Sequence, residues 1–396
     1  MFYFDNDMLT LLARYLQVDT SQPEPDYSSA ITLFLHQAKT DDLETVRMAL
    51  PSGRDALAII ARGTDPTLQA LAFNQHMDVV PSDDPALWDY PPFSGTINNN
   101  IIYGRGVQDM KGVGVAQYAA LRRFVKTHKT FARTIVLLLV PDEEIGGFTG
   151  AGQLIDTKKF KALNIGYVID EGCSSGDSST ILIKTQERRP LQIIVTSKGT
   201  SAHGSLLNAH NCLHDLIAFL STIQTFQQKQ KDLAHNQEQG LFLSMHITSL
   251  AGGTGCLDGK TFNMIPAIAL AGIDIRIPPE KTSQHVIDFL DHHIRSYASL
   301  SYEIKAHVPD EMTAKPSYEL MQVIQNVCKS YGLTTKTHAA QGCSDLRFYT
   351  KAGIQGIGLT PFTVAPNPHG INESLPVSDF MMGITIFFNI IETICL

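Results

Sequence analysis

The run Val140-Pro141-Asp142-Glu143-Glu144-Ile145-Gly146-Gly147 sets two carboxylates side by side at the end of an apolar stretch, residues 134–140. That stretch reads as a buried strand, and the glycine pair lets the chain turn sharply at the sheet edge. Adjacent carboxylates repel, so at a strand end they are either solvated or neutralised by cations. A solvated turn is the simpler reading of this motif alone. Other chemistry-bearing residues stand at similar strand-to-loop edges: His76-x-Asp78 and Asp109 upstream, Glu171 and His369 downstream. Together they compose a metal site with one carboxylate left over for acid–base work.

Each member also has a plain reading. His76 and Asp78 are two apart at a strand end, so both side chains point the same way. One can bind a metal while the other orients it or the bound water; alone, the pair is a surface hydrogen bond. Asp109 precedes a helical pattern and by itself is an N-cap, although its two oxygens could bridge two metals. Lys111 reads as a surface charge. Of Glu143 and Glu144, one binds metal and the other takes a proton from water and returns it to a leaving amine. Asp170-Glu171 repeats the pairing, with one carboxylate a ligand and the other holding structure. His369, in the proline-rich loop 366–370, brings the set to two histidines and three carboxylates. Mixed nitrogen and oxygen ligands suit zinc, with cobalt or manganese as substitutes. Five such ligands suit two metals sharing one carboxylate, roughly 3.5–4 Å apart.

The elements that must position these residues alternate along the first half. Helical spacing covers residues 8–17 and 28–38. Strands follow at 71–74, 134–140 and 165–169, with helical patterns at 113–125 and 149–156 between or after them. Such alternation predicts an α/β fold with a mixed, mostly parallel sheet sandwiched by helices. The pattern changes near residue 190: strands at 191–196, 243–250 and 267–277, helices at 208–230 and 283–296, and a loop at 251–255. This block reads as a smaller α+β unit inserted into the first domain. A helix at 318–331, a strand near 356–360 and a last helix close the chain. The expected division is residues 1–187 and 309–396 for the catalytic domain and residues 188–308 for the insertion.

Composition narrows the partners. The chain has 396 residues, 43% hydrophobic and 18% charged, with a formal net charge of −8 and no dense basic run. Nucleic acid is therefore not an expected partner. The start has no basic, apolar leader, and no apolar segment reaches the roughly 20 residues of a bilayer span, so no membrane role is expected. Residues 380–396 are broken by Gly383, Asn389 and Glu392 and read as a final core helix. The six cysteines form no Cys-x-x-Cys pair and suit a reducing cytoplasm, with Cys173 and Cys343 read as small buried hydrophobes.

The ordered stretches 22–27, 76–81, 103–111, 140–147, 170–172, 263–267 and 344–347 give the chain a clear likeness. It resembles the dizinc aminoacylase and deacylase family of metallo-exopeptidases from about residue 15 to residue 373, most nearly its cytosolic aminoacylase branch. Other branches include acetylornithine deacetylase, succinyl-diaminopimelate desuccinylase and the glutamate carboxypeptidases. The resemblance implies two zinc ions held by His76, Asp109, Glu144, Glu171 and His369, with Asp109 shared. It implies Glu143 as general base, Asp78 as support for His76, and His203 as the group that polarises the scissile carbonyl, reaching the neighbouring subunit's site. It assigns Asn263, Arg276 and Arg347 to the substrate carboxylate, and the inserted block to a lid that pairs the chain into a homodimer. The implied substrates are small N-acyl-L-amino acids. Two departures are Val113, where a glycine is common, and Cys343, where a small hydroxyl or alanine is common; the second puts acyl or side-chain preference in doubt.

The residues support one of these roles independently. Asp274 and Arg276 share a strand face opposite Ile273, Ile275 and Ile277, where an arginine can clamp a carboxylate through two nitrogens. An ion pair with Asp274 is the plain alternative. Two other functions compete. Gly172-Cys173-Ser174-Ser175-Gly176 fits the nucleophile elbow of serine hydrolases, which needs a strand before it and a helix after it; residues 177–183 read instead as turn and strand. A non-catalytic binding module of the same fold would lack ligands or the base, and this chain keeps them all.

Overall fold

The computed structural model describes residues 6–252 and 262–396. Most of the loop read at 251–255, and Cys256, lie outside the described residues. The chain divides into two compact units. The larger runs to Thr185 and resumes over Ala314–His338 and Ser344–Leu396; the smaller is Gln186–Thr313 with Ala339–Cys343. The last of these segments was read from sequence as part of the catalytic domain. It groups with the smaller unit because Arg188 donates its N–H to Ala340 O at 3.3 Å and its Nε to Gln341 O at 2.9 Å.

An eight-stranded sheet organises the larger unit. In spatial order its strands are Glu44–Ala49, Asp55–Ala61, Ile135–Val140, Ala70–His76, Ile165–Asp170, Gln355–Leu359, Thr180–Glu187 and Thr334–Ala340. The central four, from Ile135–Val140 to Gln355–Leu359, are parallel, whereas the pairings with Asp55–Ala61 and Thr180–Glu187 are antiparallel. The sheet is thus mixed with a parallel centre, as the alternation predicts. The flanking strands Glu44–Ala49 and Thr334–Ala340 escape a reading by apolar runs because they are edge strands with mostly exposed or half-buried side chains.

The central strands are apolar because helices cover both faces. All seven residues of Ala70–His76 and all six of Ile135–Val140 are buried. Helix Lys111–Thr127 buries Val113, Ala116, Ala119, Ala120 and Phe124. The final helix, Val377–Cys395, is long and apolar enough by length and composition to cross a membrane. In this fold Phe380, Phe387, Ile390 and Ile391 are core residues, each stabilising by about 1.5–3 kcal/mol on burial.

The smaller unit is an antiparallel sheet of Ser244–Gly252, Ile268–Ile277, Arg189–Lys198 and Leu300–His307. Its apolar face is covered by helices Cys212–Leu233 and Ser283–Ile294.

Candidate metal centre

Open parallel sheets place their sites beyond the carboxyl ends of the strands, and the predicted ligands lie there. His76 ends Ala70–His76, Glu143 and Glu144 follow Ile135–Val140, and Glu171 follows Ile165–Asp170. His369 sits on the loop after Gln355–Leu359 with φ 65°. Four chain segments far apart in sequence therefore converge because their strands are neighbours.

Asp109 faces both imidazoles. Its Oδ1 lies 3.0 Å from His76 Nε2, and its Oδ2 lies 3.3 Å from His369 Nε2. Glu171 Oε2 is 3.5 Å from His76 Nε2, and Glu144 Oε2 is 3.4 Å from His369 Nε2. Each imidazole thus has a carboxylate of its own and shares Asp109. The N-cap role read for Asp109 is not what it does: Met110 is the N-cap of Lys111–Thr127 and makes no side-chain cap bond.

This donor set fits metal. Oxygen and nitrogen atoms of His76, Asp109 and Glu144 lie within 4.8 Å of one another, as do those of His76, Glu143 and Glu171. Glu144 Oε1 is buried without a hydrogen-bond partner among the described residues, and a cation would supply one. Without ions the acids and imidazoles must compensate each other. Burial would lower His76, but Asp109 and Glu171 hold it well above the usual imidazole range. Asp109 and then Glu144 hold His369 up at about 10. Burial, then the Asp109 charge, pushes Glu171 up to about 7.

Glu143 differs from its neighbour. Its carboxylate makes no hydrogen bond or ion pair among the described residues, and burial followed by the Glu171 charge raises it well above the usual carboxylate range. Its main chain is held instead. Asp78 accepts the N–H of Glu143 at 3.1 Å and that of Glu144 at 3.0 Å. His76 Nδ1 meets Asp78 through the main-chain oxygen at 2.9 Å, with Oδ1 farther off at 3.8 Å. Asp78 supports His76 chiefly through its carbonyl, and its carboxylate holds the glutamate turn.

Some supporting residues had no sequence signal beyond the motif that contains them. Arg105 and Glu373, both buried, pair at 3.0 Å. Glu373 accepts the N–H groups of Gly106, Gln108 and Asp109, while Arg105 donates to His369 O and Gly370 O. One ion pair thus fixes the loops of Asp109 and His369. Lys111 corrects the surface-charge reading. It is fully buried, and its Nζ donates to Tyr15 O and Val18 O at the end of helix Asn6–Leu16, with burial pushing it down to about 7. The carbonyls left open at that helix end need a donor.

The remaining predicted residues separate by unit. Arg347 belongs to the larger one and is buried. Its Nη2 donates to Gly146 O at 2.7 Å and its Nη1 to Ser344 O, so main-chain oxygens engage it. Asp170 is buried between Asn74 and Ser344, the structural half of its pair. In the smaller unit His203 and Asn263 are neighbours, with Nε2 and Nδ2 3.4 Å apart. Arg276 Nε donates to Asp274 Oδ2 at 2.8 Å, the plain alternative weighed for it. Ser174 donates to Phe362 O and Val364 O, and no helix follows it before the strand at Thr180; it is not a nucleophile elbow. Cys173 and Cys343 are half-buried, not fully buried as expected.

Fold and donor set define a metal-binding α/β protein with its site beyond the carboxyl ends of a parallel sheet. The profile of peptidase family M20/M25/M40 matches residues 72–393, and the chain belongs to that family. Aminoacylase-1 of Dictyostelium discoideum is 31% identical over 406 residues, covering 98% of this chain and 98% of the relative. The succinyl-diaminopimelate desuccinylase of Pseudoalteromonas translucida is 29% identical over 398 residues, covering 98% and 99%. The fold is that of an M20 family metallo-carboxypeptidase from Sulfolobus solfataricus, with a TM-score of 0.78 at 17% identity over 98% of this chain and 99% of the other.

Proposed function

We propose that this chain removes the acyl group from N-acyl-L-amino acids. The observation that carries the reading is the Glu143 carboxylate, without a hydrogen bond among the described residues and beside the candidate donors His76, Asp109, Glu144, Glu171 and His369. Full-length likeness to aminoacylase-1 supports the substrate class. His76, Asp109, Glu144, Glu171 and His369 would hold two zinc ions. Bound zinc lowers the pKa of water towards neutrality and polarises a carbonyl.

The chain's own groups then do the following. Glu143 takes a proton from the attacking water as the water oxygen bonds to the acyl carbon. It gives that proton to the amide nitrogen as the carbon–nitrogen bond breaks, releasing a free amino acid and a carboxylic acid that gives up its own proton to solvent or to the amine at neutral pH. Burial raises its affinity for protons, as a carrier at neutral pH requires. Asp78 orients the Glu143 main chain. His203 donates to the developing oxyanion, and Asn263, Arg276 and Arg347 receive the substrate carboxylate; these roles rest on likeness to the family. A homodimer through the smaller unit is supported by the exposed apolar side chains Leu206, Leu207, Leu250, Phe262 and Met264. The free cysteines support a cytoplasmic setting.

Likeness to a desuccinylase favours, as the second reading, a deacylase of N-acyl diamino acids such as acetylornithine. The test is hydrolysis of N-acetyl-L-methionine, acetylornithine and simple dipeptides by zinc- or cobalt-loaded protein. N-acetyl-L-methionine is expected to be turned over fastest; selective cleavage of acetylornithine would replace the first reading with the second. Glu143→Gln is expected to lose at least about 10²-fold in kcat while keeping its metal. Near-normal turnover by that variant would remove Glu143 from the mechanism.

A further inference from the structure

Because no described residue binds the Glu143 carboxylate, its aim is set through its backbone, and the residue before it is unusual. Asp142 is a non-glycine residue with φ 65°, in the left-handed region, which few L-residues adopt. It is buried, and its polar groups are engaged. Its N–H donates to Tyr27 Oη at 2.9 Å, and Tyr27 Oη donates back to Asp142 Oδ1 at 2.8 Å. Thr149 Oγ1 donates to Oδ2 at 2.8 Å, and Arg54 Nε lies 3.6 Å from Oδ2.

Tyr27 therefore grips Asp142 at two points, main chain and side chain. It is the first residue of helix Tyr27–Thr40, whose Ala30, Ile31, Phe34 and Ala38 are core, so the hydroxyl stands on a rigid element. Gln22 Nε2 lies 3.2 Å from the same hydroxyl and 3.0 Å from Asp78 Oδ2. That bond joins the grip on Asp142 to the carboxylate that holds the next two main-chain N–H groups. Three successive residues of the turn, Asp142, Glu143 and Glu144, are thereby fixed from outside it.

We propose that Tyr27 is a positioning residue for Glu143: its hydroxyl locks Asp142 in the left-handed conformation and so aims a carboxylate that it does not touch. The proposal rests on Glu143 being the proton carrier. Proton transfer needs hydrogen-bond reach, and misplacement by about 1 Å costs on the order of 10²-fold. Loss of the hydroxyl leaves the buried Asp142 N–H without its acceptor, and the turn relaxes.

The test is a double-mutant cycle on metal-loaded protein with N-acetyl-L-methionine. Tyr27→Phe is expected to lower kcat roughly 10-fold or more, with KM and bound metal within about 2-fold of the parent. In a Glu143→Gln background the same change is expected to have no further effect, because the group it aims is already gone. A merely structural role would lower kcat by the same factor in both backgrounds and would shed metal, and that result overturns the proposal. So does an unchanged kcat for Tyr27→Phe when Glu143→Gln is crippled. If Glu143→Gln itself is fully active, the proton-carrier reading has failed instead. Should Tyr27→Phe not fold, Thr149→Val, which removes one bond to the Asp142 carboxylate, is put through the same cycle. A non-additive loss supports the proposal and an additive one overturns it.

Discussion

Asp78 accepts the main-chain N–H of Glu143 on Oδ1 and places Oδ2 on the N–H of Glu144. A buried carboxylate at the end of one strand thereby sets the backbone of the turn at the end of the next. Asp78→Asn keeps the shape but turns one acceptor into a donor, which faces a buried N–H. We expect kcat to fall about 10- to 10²-fold and metal affinity to weaken about 10- to 100-fold. Steady-state kinetics with metal analysis after dialysis checks this. Parental values for both would leave Asp78 only its carbonyl contact with His76.

The two oxygens of Asp109 face different imidazoles. Asp109→Asn retains one oxygen suited to a cation and replaces the other with a nitrogen that carries two hydrogens. The variant is expected to lose at least one of the two ions the parent retains. Atomic absorption on dialysed protein reads this directly; full retention of both would show that Asp109 is not shared.

Metal binding should depend on pH. In the metal-free protein His369 titrates at about 10, held up by Asp109 and then Glu144, and Glu171 at about 7 through burial and then the Asp109 charge. Both must lose protons to bind an ion, so affinity rises with pH, most steeply below about 7 while both groups are protonated and still rising towards 10, with proton release. Both folded values lie above the ordinary ones, 6.5 and 4.5. The stabilisation from His369 is therefore complete below about 6.5 and lost as pH rises towards 10, and that from Glu171 is lost between about 4.5 and 7. Calorimetry should find the metal-free Tm falling from pH 5 to 9. A rising Tm over that range would contradict the pairing.

Arg347 holds Gly146 O and Ser344 O. Two hydrogen bonds from a buried cation make Arg347→Met destabilising by about 3 kcal/mol, and Arg347→Lys should rescue it poorly because an ammonium lacks the planar fork. Urea unfolding checks this. An unchanged midpoint with a raised KM would leave Arg347 only its role towards the substrate carboxylate.

What could be read without coordinates was whatever a short stretch of chain decides. The buried strands show as apolar runs, and residues at strand-to-loop edges share a side of the sheet, so His76, Asp109, Glu143, Glu144, Glu171 and His369 were legible as one set. The face shared by Asp274 and Arg276 followed from the two-residue period. Tertiary structure decided matters that depend on which strands are neighbours. Between the helix cap and the shared carboxylate weighed for Asp109, packing decided: it faces both imidazoles because His76 and His369 converge on it from strands that flank Ile165–Asp170 on either side. Lys111 turned inward because a helix end far upstream needed a donor. Tyr27 reached Asp142, and Arg105 reached Glu373, only through packing. Those side-chain pairings span distances in sequence over which local periodicity carries no information, and the burial of their polar groups is what makes the pairings obligatory.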